Sequence, residues 1–527
     1  MTRQPHILWA DDEIDILKPH IMFLEGKDYK VVGVNSGNEA LEEVENNAFD
    51  LVFLDENMPG LNGIETLQRI KVIRPHLPVI MITKSEEEHI MEEAIGSKIN
   101  DYLIKPVNPN QILLAVKKVL DGRRLISEQA MSSYQREFRE IGMKLMDRME
   151  TSDWYDVYGR LVHWDLELGK SEDQSMQDIL SMQFEDANRQ FGKHVERNYE
   201  GWLAEPEGGD TPLMSHRVLP EVLPTVIEGA DGKPVYLVLI DNLRLDQWKM
   251  IEPLLKDDYR IKSNESYMSI LPTATQYARN AMFAGMLPSE IQSLYPQWWR
   301  NEDDEGSKNQ YEGQLLQELV KRIGIEGKVS YHKVTNLEAG KKLLDTFHET
   351  KGEVLTTVVY NFVDMLSHAR TDMDVIKELA DDEAAYRSLT LTWFEHSALK
   401  ELLVKMAEFG GKVIITTDHG TIRVDKEVKV VGDRSTNSNL RYKVGKNLGY
   451  EAKEVFEAPE PGRFGLPQQH LSTGYVFARE SDFFVYPNNY HKFVKYFKDT
   501  FQHGGVSMEE MIVPLVVLES KNNASRA

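Results

Sequence analysis

The chain has 527 residues, too many for one core, and its 85 acidic against 61 basic side chains leave a formal charge of -24. That sign excludes nucleic-acid binding through the bulk field, so any phosphate-bearing ligand must be held locally by cations or metals. Zero cysteines exclude disulfides, thiolate zinc sites and a cysteine nucleophile.

The start, MTRQPHILWADD, has no apolar signal core, and no run of about 18 apolar residues follows; the chain reads as soluble and cytoplasmic, without a membrane span. Residues 1–121 alternate short apolar runs with amphipathic stretches: HILWA (6–10), YKVVGV (29–34), DLVFLD (50–55), LPVIMIT (77–83) and DYLIK (101–105). Buried parallel strands followed by helices predict a doubly wound sheet, whose ligands sit beyond the carboxyl ends of the strands. Those ends carry Asp11 and Asp12, Asp55, Thr83 and Lys105. Three clustered carboxylates repel one another unless a hard dication neutralises them, and the dication then screens an incoming phosphate.

The set resembles the receiver domain of two-component response regulators over its whole length. The resemblance implies Asp55 as phosphoryl acceptor, with Mg2+ held by Asp11, Asp12, Asp55 and the backbone carbonyl of Asn57. It also implies Thr83 and Lys105 as partners of the phosphoryl oxygens, Tyr102 as the aromatic switch, and a sensor histidine kinase as donor.

Residues 122–215 read as long helices, with proline absent from 107–205 apart from Pro109. Trp154, Tyr155, Tyr158 and Trp164 fall near helical spacing and read as core, as do the lone histidines His163 and His194. Such a connector could transmit rotation or form a dimer seam, and the sequence leaves both open. LAEPEGGDTPL (203–213) marks a boundary.

A second α/β pattern occupies 216–519, followed by a tail at 520–527. A buried strand ends at Asp241. SYMSILPTATQYARNAMFAGMLPSE (266–290) reads as strand, turn with Thr273 and Thr275, and helix. DMLSH supplies Asp364 and His368, TTDHG supplies Asp418 and His419, and HGG begins at His503. Three carboxylates and three imidazoles without thiolates suit two adjacent zinc ions, which could clamp a phosphate. Arg244, Arg279 and Arg423 are candidate phosphate-oxygen partners. VVGDRSTNSNLRYKVGKNLGY (430–450), with Arg434, Arg441, Lys443 and Lys446, is a candidate substrate rim or a solvated loop.

These motifs resemble the alkaline-phosphatase superfamily and, within it, PglZ-type domains. The resemblance implies one zinc held by Asp364, His368 and His503, the other by Asp241, Asp418, His419 and the nucleophile. It assigns Thr275 as that nucleophile, with Thr273 as the fallback. Ser367 stands where many relatives have Gly. The turn PTAT leans towards phosphodiester chemistry.

The order of receiver, connector and PglZ-type domain resembles the PorX-type response regulators of type IX secretion. That resemblance implies a zinc-dependent output acting on phosphodiesters such as cyclic or linear oligonucleotides, a phosphorylation-linked homodimer, and a sigma factor or secretion-system component as candidate partner. The rival expectation is a phosphorylation-controlled binding scaffold with a structural zinc site. With no helix-turn-helix and no basic recognition helix, direct sequence-specific DNA binding is not expected.

Overall fold

The computed structural model describes residues 4–83, 101–169, 174–302, 304–373, 380, 382–433, 436–487 and 490–521. Arg434 of the basic stretch and residues 522–527 of the tail lie outside them. The chain forms two compact units, Met1–Arg136 and Glu137–Ala527.

In the first unit, β1 (His6–Ala10), β2 (Lys30–Val34), β3 (Leu51–Asp55), β4 (Val79–Thr83) and β5 (Asp101–Ile104) form a parallel sheet in the order β2-β1-β3-β4-β5. Period-two alternation divides its side chains between two cores. Leu8, Val52, Leu54, Val79 and Met81 pack with Ala40, Val44, Leu67 and Ile70 of helices Gly37–Asn46 and Gly63–Ile73. Ile7, Trp9, Phe53, Ile80 and Ile82 pack on the other face with Leu24, Ile112 and Val116. This is the expected doubly wound domain. The helix Gly63–Ile73 starts at a capping box of Asn62 and Glu65, which satisfies two otherwise unpaired amides.

In the second unit, β6 (Val235–Ile240), β7 (Tyr259–Met268), β8 (Val329–Val334), β9 (Leu355–Tyr360), β10 (Lys412–Thr416) and β18 (Ile512–Ser520) form a six-stranded sheet in the order β7-β18-β10-β6-β9-β8. Strands β10, β6, β9 and β8 run parallel, and β18 is antiparallel to both β10 and β7. Two reversals make β7 parallel to β10. The carboxyl ends of β6, β7, β9 and β10 and the amino end of β18 therefore lie along one edge of the sheet, where open α/β sheets bind ligands.

The shorter strands β11 (Ile422–Arg423), β12 (Lys426–Lys429), β13 (Tyr442–Lys446), β14 (Phe456–Ala458), β15 (Thr473–Phe477), β16 (Asp482–Val485) and β17 (Phe501–Gln502) pair outside this sheet as β11-β17, β12-β16 and β13-β15-β14.

Helices Thr151–Leu168 and Gln174–Ala204 belong to the second unit. Trp154, Tyr158 and Trp164 are buried and Tyr155 is partly so, matching the core reading. His194 is buried between Trp154 and Trp202, whereas His163 is exposed.

Candidate active site

At the carboxyl ends of the first sheet's strands, Asp11, Asp12 and Asp55 offer carboxylate oxygens within 4.8 Å of one another. Lys105 Nζ donates to Asp11 Oδ2 at 2.9 Å and lies 2.8 Å from Asp55 Oδ1. Burial pushes the Asp55 carboxyl up from the usual range, with Asp11 and Asp12 adding to this and Lys105 opposing. The Thr83 hydroxyl donates to the Glu56 carboxylate, a partner that the sequence did not indicate. Asn57 and Tyr102 are exposed.

The carboxyl-end edge of the second sheet collects two further groups, Asp364, His368 and His503, and Asp241, Asp418 and His419, each with ligand atoms within 4.8 Å. Asp241 directly follows β6. Asp418 and His419 lie just beyond β10. Asp364 and His368 are four apart on the helix Phe362–Asp372 after β9, so both project from one face. His503 precedes β18. Its Nε2 lies 3.5 Å from Asp364 Oδ1, and its ring stacks on His419 at 4.3 Å between centroids.

Both inner histidines are held by their far nitrogens. His503 Nδ1 donates to the Thr273 carbonyl and His419 Nδ1 to the Gly420 carbonyl, each at 3.1 Å. Nε2 of each is thereby left as the acceptor, the arrangement common to metal-ligating histidines. Burial, with His419 and His368 nearby, pushes His503 well below the usual imidazole range and keeps it neutral. Neutral imidazoles and carboxylates at this spacing fit borderline dications.

Glycine is required at two neighbouring points. A Cβ at Gly420 would meet the Glu509 carbonyl oxygen at 2.0 Å, and Gly504 has φ +124°.

Thr275 opens the helix Thr275–Ala284, and its hydroxyl sits 3.2 Å from His419 Nε2 and 3.5 Å from Asp241 Oδ1. Thr273 is fully buried and differently employed. Its hydroxyl donates to the Gly505 carbonyl at 2.9 Å and accepts from Gly504 N–H at 3.0 Å, fastening the His503 loop to the threonine turn.

The arginines depart from expectation. Arg244 is 2 % exposed, paired with Asp246 and with Glu383 at 2.7 Å, and set over the rings of Tyr386 and Phe501. Arg279 is fully buried. It bridges the outer oxygens of Asp241 and Asp418, reaching the latter at 3.0 Å, and has Glu312 at 3.7 Å behind it. Both guanidiniums are already engaged by carboxylates, Arg244 by Asp246 two residues on and by Glu383, Arg279 by Asp241, Asp418 and Glu312, rather than left free for a phosphate oxygen. Arg423 is 3.3 Å from Asp499 and half-buried.

The basic stretch is likewise not a continuous rim. Arg441 is buried against Glu510 and burial pushes Lys443 down to about 8; Lys446 is partly exposed. Sequence reasoning missed Glu510, which accepts from Gly505 N–H at 2.8 Å and from Ser507 Oγ at 2.8 Å and so shapes the loop behind His503. It also missed Asn242, whose one local signal is its place directly after Asp241.

Residues 220–518 match the BREX system PglZ alkaline phosphatase-like domain. The chain belongs to the PglZ family. Around this PglZ domain, residues 7–117 match the response regulator receiver domain and 124–203 the PorX response regulator linker domain, so the whole has the PorX-type architecture.

The chain is 34 % identical across 139 residues to the transcriptional regulatory protein ZraR of Klebsiella oxytoca, covering 26 % of this chain and 31 % of that protein. It is 34 % identical across 119 residues to the transcriptional regulatory protein ResD of Bacillus subtilis, covering 23 % and 49 %. The chain thus spans less than half the length of these curated relatives. A CheY-like receiver from Methanospirillum hungatei is similar at 30 % identity and TM-score 0.23, covering 23 % of this chain and 98 % of that one. Among the described residues no helix is long and apolar enough to cross a membrane.

Proposed function

We propose that the chain is a response regulator phosphorylated on Asp55 by a sensor histidine kinase with Mg2+ bound at Asp11, Asp12, Asp55 and the Asn57 carbonyl. Its PglZ domain hydrolyses phosphodiesters, oligonucleotides among them, through Thr275 and two zinc ions, in the service of type IX secretion. Residues 1–121 are the switch, 122–215 the connector, 216–519 the output and 520–527 a tail.

The observation that carries the reading is the Thr275 hydroxyl, 3.2 Å from His419 and at the amino end of a ten-residue helix. Asp364, His368 and His503 would hold one ion and Asp241, Asp418 and His419 the other. Bound zinc would supply Lewis-acid polarisation of the ester and acidify the threonine hydroxyl.

The chain's own groups do the rest. The first amides of the helix Thr275–Ala284 receive the phosphoryl anion. Thr275 Oγ1 bonds to phosphorus as the ester oxygen departs and takes up a proton. Water then cleaves the threonyl phosphodiester, which still carries the second ester group, returning the hydroxyl and releasing a monoester. Arg279 holds Asp241 and Asp418 at a fixed separation behind the nucleophile.

The test compares bis-p-nitrophenyl phosphate with p-nitrophenyl phosphate for wild type, Thr275→Ala and zinc-stripped protein. Diester turnover is expected in wild type alone, with Thr275→Ala lower on the order of a thousandfold or more. Two bound zinc ions without turnover, with or without an acyl phosphate, would overturn the hydrolase in favour of a scaffold.

A further inference from the structure

Asn242 touches one ligand of each metal group in the PglZ domain. It is fully buried, with a left-handed backbone at φ 65°, a conformation that asparagine tolerates better than most residues. That turn aims its backbone N–H at Asp418 Oδ1, 3.5 Å away. Its side chain turns the other way, with Nδ2 3.5 Å from Asp364 Oδ1 and 3.3 Å from Ser367 Oγ.

Chemistry fixes which end of the amide faces Asp364. The Asp364 carboxylate accepts only, and the Ser367 hydroxyl already donates to the Asp364 carbonyl at 2.7 Å. Both therefore require the NH2 end. The amide oxygen is left buried with no partner among the described residues, the condition of a group that awaits a donor brought in from outside. The contacts are long for hydrogen bonds, so they stabilise the metal-free chain little. What matters is which atoms they join. Ser367 supplies the second acceptor that keeps the amide between the groups.

We propose that Asn242 braces the two groups to one another, its backbone holding Asp418 and its side chain holding Asp364, so that filling either group with a dication favours filling the other. The brace rests on the two-ion reading given above. Asn242 is a positioning residue: it orders carboxylates that hold the ions. The coupling is reciprocal, since whatever one ion does for the second site the second must do for the first. The stacked rings of His419 and His503 form a separate link between the groups, and substitution at 242 leaves that link in place.

The experiment is a Co2+ titration of metal-stripped full-length chain, followed by visible absorbance and by calorimetry. Excess Mg2+ keeps the receiver's oxygen-only group occupied. Wild type is expected to take up two ions steeply, with the half-loaded species depleted. Asn242→Gly keeps the left-handed backbone and the N–H towards Asp418 while deleting the amide. It should bind the two ions in separate steps, with coupling reduced roughly fivefold or more.

Ser367→Ala should lower the cooperativity in the same direction, and it carries the test should Asn242→Gly fail to fold by circular dichroism. Two ions bound independently by wild type, or unchanged cooperativity in the folded variants, would overturn the brace and leave the two-ion reading intact. Uptake of fewer than two ions by wild type would overturn both.

Discussion

At the scale of single residues, the PglZ domain neutralises buried charge by pairing. Arg279 is the decisive case. Burial pushes the Asp241 carboxyl up, opposed by Arg279. At Asp418 the effect of burial is outweighed chiefly by Arg279, which draws its carboxyl down to about 2. Arg279→Met should cost about 3–5 kcal/mol in metal-free protein, because it strands two buried carboxylates. Zinc should restore more stability to this variant than it gives wild type, which thermal unfolding with and without zinc measures.

Glu509 offers a second residue-level test. It accepts from Asn188 Nδ2 at 3.1 and 3.0 Å, and burial pushes its carboxyl from 4.5 to about 7, with Asn188 and Arg244 opposing and Glu383 adding. A pKa raised on folding stabilises at low pH, and that stability is lost as pH rises from 4.5 through about 7. Glu509 keeps some contact with solvent, so the loss is at most about 3 kcal/mol. Relative to wild type, Glu509→Gln should gain stability on going from about pH 5 to about pH 8, as read by urea unfolding at each pH. A constant difference would show that Glu509 titrates normally.

Among elements, the threonine turn and the loop before β18 act as one piece. Thr273 ties the turn to Gly504 and Gly505, its carbonyl holds His503, and Glu510 backs the loop with Arg441. Thr273→Val should destabilise by roughly 1–3 kcal/mol through lost hydrogen bonds and weaken metal retention at His503, while keeping a covalent route through Thr275. Trapping the threonyl phosphodiester with a diester at low pH and mapping it by mass spectrometry decides between the two hydroxyls. Label on residue 273 would reverse the assignment. The connector helices also reach this piece, since Asn188 Oδ1 accepts from Met508 N–H at 2.8 Å; elsewhere Asp165 pairs with Arg387, itself 3.2 Å from Asp246. Their packing therefore bears on the segment that carries His503.

For the whole molecule, the receiver and the PglZ domain each place acidic groups at strand ends, and each is expected to answer to a different cation. An acyl-phosphate donor with Mg2+ should label wild type and leave Asp55→Ala unlabelled, and chelation should abolish the label. The phosphorylated form should sediment as a dimer; an unchanged monomer on full labelling would remove dimerisation from the reading.

The sequence by itself determined the two α/β patterns, the helical middle and the strand-end residue types, because apolar periodicity and the polar residues that interrupt it are local features. It placed Asp241, Asp418 and His419 correctly beside strands that are neighbours in the sheet. Only the tertiary structure decided what Arg244, Arg279 and Arg441 do, why Thr273 and Thr275 differ, and that Asn242 stands between two groups. Those roles depend on which buried partners arrive from segments up to a few hundred residues away, and desolvation makes such pairing obligatory without writing it into either segment alone.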